Sequence, residues 1–322
     1  MIDNKWPIPN RLNLVITAGQ ISLSLWCLYY SSNASSTLGL VVAAVIFSFI
    51  MQTGFSLLHE AEHSKLHSNK KINDLLGFLL AAMFPGSFQL MKVAHLNHHG
   101  VNRSDAELVD YIKPDESNLY KTAQFYLLIC GLIWVTAPLV TLLVCLTPTK
   151  WLSTGFAKVE ETAVSRYLAF IQRAEIGRAR IETATGIVLW VLVWQLLQLN
   201  FIGVLLCYLA FAFSWSSQQY IYHVRTPRHL IEGAYDLKLW QPMQWLYLNF
   251  NFHLQHHRYP KVAWLYMNSI GSERPIRSYL TTYLALWQPP QPVAEAWPVD
   301  FQRRGPLLPR PEITWSQRGL AQ

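Results

Sequence analysis

The chain has 322 residues, of which 52% are hydrophobic and 14% charged, and its formal net charge is +7. An ordinary soluble domain carries about 25% charged residues, so the composition argues against a water-soluble enzyme and for a protein that faces lipid. The positive balance does not imply nucleic acid, because no basic run is interleaved with aromatics in a stacking pattern; basic loops beside membrane spans account for it.

In chain order, the polar start Met1 to Arg11 is followed by an apolar run from about residue 12 to 31. It has no small-residue cleavage site behind a short hydrophobic region, so it reads as a retained first span. A second run covers 37 to 58, and each is long enough to cross a hydrocarbon core of about 30 Å as a helix. Leu75 to Met91 is shorter and holds Pro85 and Gly86, which places it at the interface or beneath a cap. Gln124 to Thr147 is long enough to cross, but Pro138 interrupts it and Lys113, Lys121, Lys150 and Lys158 flank it on both sides. Lys and Arg collect on the cytoplasmic side, so this segment is expected to dip in and return.

The region 184 to 222 has an uncharged break at Leu199, Asn200 and Gly203 and reads as a hairpin of two spans. From residue 288 the stretches QPPQPVAEAWP and RRGPLLPRPE carry proline at a density that opposes helix and sheet alike. The expected organisation is therefore a membrane domain over 1–287 and a proline-rich, partly disordered tail over 288–322. The expected fold class is all-α, a bundle of about four spans plus a re-entrant or interfacial segment, under a helical cap. Cys27, Cys130, Cys145 and Cys207 lie in apolar stretches without CxxC spacing and read as small core residues.

Nine of the eleven histidines fall in three short clusters: HEAEHSKLH (59–67), HLNHH (95–99) and HLQHH (253–257). On a helix, His59 and His63, His95 and His99, and His253 and His257 each share a face; His98 and His256 lie close to the first member of their own trio. A lone histidine is ordinarily a surface or core residue without chemistry. Three aligned clusters are a different matter, because imidazole is the commonest protein metal ligand and suits Fe, Zn, Cu or Ni. Eight such nitrogens exceed one ion and suggest two. HLNHH and HLQHH must then lie on one side of the membrane, which a re-entrant 124–147 and a hairpin at 184–222 allow. A transporter places its ionisable residues within the spans, whereas these gather beyond the span ends and favour an enzyme.

HEAEH has the HxxxH spacing, and HLNHH and HLQHH the HxxHH spacing, of the three histidine boxes in the integral-membrane fatty acid desaturase superfamily. The chain resembles that superfamily over roughly residues 40 to 265. It is similar also to the superfamily's hydroxylases, carotenoid ketolases and terminal-alkene-forming fatty acid decarboxylases, while the alkane hydroxylase branch has different second and third boxes. The resemblance implies a non-haem centre of two iron ions on a cytosolic cap, O2 as cosubstrate and a fatty acyl or lipid substrate. Its implied iron ligands are His59, His63, His95, His98, His99, His253, His256 and His257, with His223, in QQYIYHVRTPRH, as a further one. His67 is expected to be solvated, and His229 is left out.

A ligating histidine donates its other N–H to a carboxylate or carbonyl, and Glu60, Glu62, Asp105, Glu107 and Asp110 are the carboxylates at hand. Gln219 is a candidate to hold a metal-bound water, and Lys92, Arg225 and Arg258 are candidates to meet a lipid headgroup. Neither a haem-binding HPGG segment nor a cysteine set for an iron–sulfur cluster is present. A separate ferredoxin, rubredoxin or cytochrome is thus expected to supply electrons. Desaturation is the expected outcome; terminal-alkene formation, hydroxylation and ketolation stay open as alternatives, and metal transport as a distant one.

Overall fold

A computed structural model describes residues 6–104, 107–114, 116–154, 175–270 and 276–293. Asp105, Lys158 and the tail from 294 onward lie outside the described residues.

The bundle begins with α1 (Asn10–Asn33) and α2 (Thr37–Glu62), an antiparallel pair started at the second helix by Ser36, whose hydroxyl accepts the Gly39 N–H. The polarity of α1 is inverted. Asn13, Thr17, Gln20 and Ser24 are buried along one face, while Leu12, Val15, Leu23 and Trp26 point outward. In water that arrangement would be unstable, but in lipid the outward apolar face costs nothing and polar groups are sheltered between helices. Gln20 gains its place because Gly54 on α2 has no side chain; a Cβ there would lie 2.5 Å from the Gln20 amide.

Two shorter helices, α3 (Lys70–Met83) and α4 (Phe88–Val101), meet at 94° across a break that contains Pro85. This is the stretch expected at the interface or under a cap, and the bend carries α4 across the end of α2. The expected re-entrant segment is broken into α5 (Asn118–Ile129), a 3-10 turn (Leu132–Thr136) and α6 (Ala137–Leu146), followed by α7 (Thr149–Thr154). Its interruption lies at Gly131, not at Pro138. Gly131 has φ +83, and a Cβ there would lie 2.3 Å from the Ala212 carbonyl; Pro138 sits in the first turn of α6, where its missing N–H costs no hydrogen bond.

The hairpin appears as α8 (Ile176–Leu196) and α9 (Phe201–Tyr220), joined by a turn in which Asn200 accepts the Gly203 N–H and donates to the Ser32 carbonyl. Among the described residues α1, α2 and α9 are long and apolar enough to cross a membrane, and α3 with α4 would add a fourth crossing if the bent pair were one span. α8 falls short of that composition because Arg178, Arg180 and Glu182 occupy its first turns. Those charges are engaged: Arg178 pairs with Asp74 and Glu182, and Arg180 donates to the carbonyls of Cys145 and Thr147.

The cap contains α10 (Gln241–Leu246), α11 (His253–Arg258), α12 (Met267–Ile270) and α13 (Tyr279–Leu286). Two parallel two-residue pairings complete it, β1 (Tyr111–Ile112) with β4 (Gln291–Pro292) and β2 (Leu237–Lys238) with β3 (Arg277–Ser278). A core of Leu57, Leu58, Ala61, Leu80, Phe88, Leu248 and Trp264 packs the last turns of α2 against α3, α4 and the cap. Cys27 and Cys207 are buried in a second core between the spans, with Phe47, Met51 and Phe211.

Candidate metal centre

Three helix ends and one loop bring the histidines together. His59 and His63 close α2, His95, His98 and His99 occupy the last turns of α4, and His253, His256 and His257 make up much of α11. His223 follows the end of α9. α2 and α9 therefore end on the same side of the bundle, and HLNHH and HLQHH share it.

The nine imidazoles sort into two groups, His59, His63, His95, His99 and His256 in one and His98, His223, His253 and His257 in the other, with the ligand atoms of each group all within 4.8 Å of one another. In the first group the Nε2 atoms of His63 and His95 are 2.7 Å apart, both lie 3.2 Å from Nε2 of His99, and His256 is 3.0 Å from His99. In the second, Nε2 of His253 is 3.0 Å from His223 and 3.3 Å from His257. Nitrogens bound at right angles about 2.1 Å from a common ion lie about 3.0 Å apart. Protons shared between rings satisfy such a set poorly, since an Nε2–H points along only one of the three mutual contacts. Nε2 of His59, 2% exposed, has no hydrogen-bond partner. A buried nitrogen in that position fits a metal ligand.

Electrostatics points the same way. Burial, followed by the neighbouring imidazoles, holds His253, His256 and His257 well below the usual histidine range; burial and His98 do the same to His223. These rings stay neutral with a lone pair to give, as metal binding requires. Burial also lowers His98, but the Glu107 carboxylate, 2.8 Å from its Nδ1, outweighs that and raises it.

That contact selects Glu107 among the four candidate carboxylates that are described. Glu60 accepts instead from the Trp264 N–H, Asp110 receives Arg103 at 2.6 Å, and Glu62 stands 3.9 Å from Nδ1 of His95, beyond hydrogen-bond range. Asp105 lies outside the described residues. His223 turns its Nδ1 to the Gly233 carbonyl at 2.8 Å. His67 and His229 use their Nδ1 atoms to accept the backbone N–H groups of Asn69 and of Ile231 and Glu232, apart from both groups. Gln219 is half-buried at the end of α9. Of the candidate headgroup cations, Arg258 is held bidentately by Glu232, Arg225 donates to Gln288, and Lys92 donates to Ser64.

The Fatty acid desaturase family profile matches residues 35–289. The chain belongs to the fatty acid desaturase family. Among curated proteins no match is found.

Membership of this oxidoreductase family gives the surrounding residues a common purpose. Asp236 accepts from both the backbone and the side-chain amide of Gln255 and so fixes α11. Arg103 links Asp110 to the Thr226 carbonyl, and Asn102 donates to the carbonyls of Leu230 and Gly233. Asp236, Gln255, Asn102 and Arg103 were not singled out from sequence; Asn102 and Arg103 stand three and four residues after His99, and that closeness to box two is the one local signal they carry. On the membrane side Phe250 packs against the rings of His59 and His253, then against Phe55, which continues to Trp215. A cavity of about 10 Å³ lies against His59 and His256, lined by Ser56, Glu60, Asn249 and Phe250, room for about one water.

Proposed function

We propose that the two histidine groups hold two iron ions and that this desaturase uses them, with O2 and two electrons, to introduce a double bond into a fatty acyl chain. The observation that carries the reading is the sorting of nine histidines from three boxes and one span end into two tight groups, while His67 and His229 are turned to backbone. The iron pair with dioxygen supplies the oxidant needed against an unactivated C–H bond, which no acid, base or nucleophile can attack.

The chain's own residues position and enclose. His59, His63, His95, His99 and His256 would hold one ion, and His98, His223, His253 and His257 the other. Glu107 and the Gly233 carbonyl fix the rings of His98 and His223 through their far nitrogens. Burial of α11 keeps bulk water from the reacting carbon. The aromatic wall of Phe250, Phe55 and Trp215 borders the route by which an acyl chain comes from the spans.

Lys65, Lys70, Lys71 and Lys113 gather near the histidine end, whereas the turns at 33–36 and 197–200 carry no charge. By the positive-inside rule the histidine end is cytoplasmic. A separate ferredoxin, rubredoxin or cytochrome reaches it there.

The test is anaerobic purification in detergent, metal analysis, and a single turnover with reduced ferredoxin and a medium-chain fatty acid, with products read by gas chromatography and mass detection. Two irons per chain and an unsaturated acid are expected. A one-carbon-shorter alkene or an alcohol would move the assignment to decarboxylation or hydroxylation. Stoichiometric zinc, or no metal with substrate returned untouched, would refute the oxidase reading.

A further inference from the structure

The residues that follow α13 do not leave the cap. Gln291 donates its N–H to the Asp110 carbonyl at 3.1 Å and Val293 donates to the Ile112 carbonyl at 2.8 Å, so that β4 lies parallel to β1. The Arg225 guanidinium donates to the Gln288 side chain at 2.5 Å and to the backbone carbonyls of Gln288 and Pro289. Six residues of chain thus bind two separate places, the loop 107–112 and the segment just after His223.

Those two places are already joined beneath the strap. One oxygen of Asp110 accepts from Arg103, the other from the Arg225 N–H at 2.5 Å. Arg103 and Arg225 both adopt left-handed backbone, at φ 59 and φ 54. A non-glycine residue holds that conformation only where its surroundings over-determine it. From this knot one path runs through the 107–110 loop to Glu107 and His98, and the other through Thr226, which donates to the His223 carbonyl. His98 and His223 both belong to the smaller histidine group, where both paths end.

We propose that Gln288–Val293 is a strap that positions His98 and His223, acting through Arg225 and Asp110, and so sets the affinity of one of the two metal sites without acting on the other. This rests on the two-ion reading above. Arg225, Gln288 and Asp110 are positioning residues, since none reaches a metal-facing nitrogen.

The experiment compares four proteins loaded with iron anaerobically in detergent: the full chain, a chain ending at Val293, a chain ending at Trp287, and full-length Arg225→Ala. Iron per chain and the magnetic coupling of the pair are read for each, and backbone hydrogen exchange is measured on the metal-free forms. The full chain and the chain ending at Val293 should keep both ions and their coupling. The chain ending at Trp287 and Arg225→Ala should keep one ion firmly and bind the second about 10- to 100-fold more weakly, with coupling lost and with faster exchange at residues 223–226 but not at 59–63. Arg225→Lys should restore part of the lost affinity.

Both ions and full coupling retained in the chain ending at Trp287 would overturn the proposal, as would equal loss of both ions in Arg225→Ala. A full chain that takes up no iron would defeat the two-ion reading first. The strap would then be judged on metal-free exchange alone, where unchanged rates at 223–226 overturn it and faster rates sustain it.

Discussion

The far nitrogens of His98 and His223 decide how those rings stand, one against a carboxylate and the other against a carbonyl. Glu107→Ala should therefore weaken the smaller group's hold on iron by about 10- to 100-fold, measured by competition with a chelator, while the larger group keeps its ion. His256→Ala and His253→Ala should each remove one ion, from different groups, and each should abolish turnover. Gly233 sets a steric limit at the same place. A Cβ there would lie 2.4 Å from the His229 carbonyl, so Gly233→Ala should cost about 1–3 kcal/mol, visible as a lower melting temperature in detergent. At this scale the grouping of the eight box histidines was legible because the i, i+4 pair of histidines recurs in all three boxes. The choice of Glu107 over Glu60, Glu62 and Asp110 was not, because it depends on where a loop returns in space.

Among the elements, α4 is mounted by α8. Ser87 donates to Glu182 at 2.8 Å and the same carboxylate accepts the Gln89 N–H at 2.9 Å, so a buried acid from the hairpin caps the helix that carries box two. Glu182→Ala removes that cap and should cost about 1 kcal/mol or more, read as thermal destabilisation with faster hydrogen exchange in the first turn of α4. This also explains why α8 departs from a clean apolar span: its early charges serve α3, α4 and α6. Spans α1, α2 and α9 were readable because lipid imposes length and hydropathy directly on the sequence. The polar start of α8 and the break at Gly131 answer to distant partners, Ser87 and Ala212, which no local pattern names.

For the molecule as a whole, the histidine cap is a store of proton-sensitive stability. His223, His253, His256 and His257 are held below their ordinary pKa by burial, while the unfolded chain titrates near the usual value of about 6.5. Below that pH the unfolded state binds more protons, so the metal-free protein should lose stability progressively as pH falls from about 6.5. His98, raised by Glu107, works in the opposite sense: its contribution is present below about 6.5 and fades as pH rises through its folded value. Among these cap histidines the lowered ones outnumber His98, so their acid loss dominates. Thermal melts of the metal-free chain should decline from about pH 6.5 towards pH 5.5, and iron should deepen the stability at neutral pH in proportion to its binding.

The larger histidine group spans α2, α4 and α11, and this spacing has a consequence for biosynthesis. During translation His59, His63, His95 and His99 emerge with the first helices, well before the ribosome reaches His256 or the smaller group's His223, His253 and His257. A nascent chain in the membrane thus displays four imidazoles with no partner helix to close over them. Open nitrogen sites rank copper and zinc above ferrous iron. On the two-iron reading, a chain ending before α11 should therefore take up copper or zinc in preference to ferrous iron, read by metal analysis.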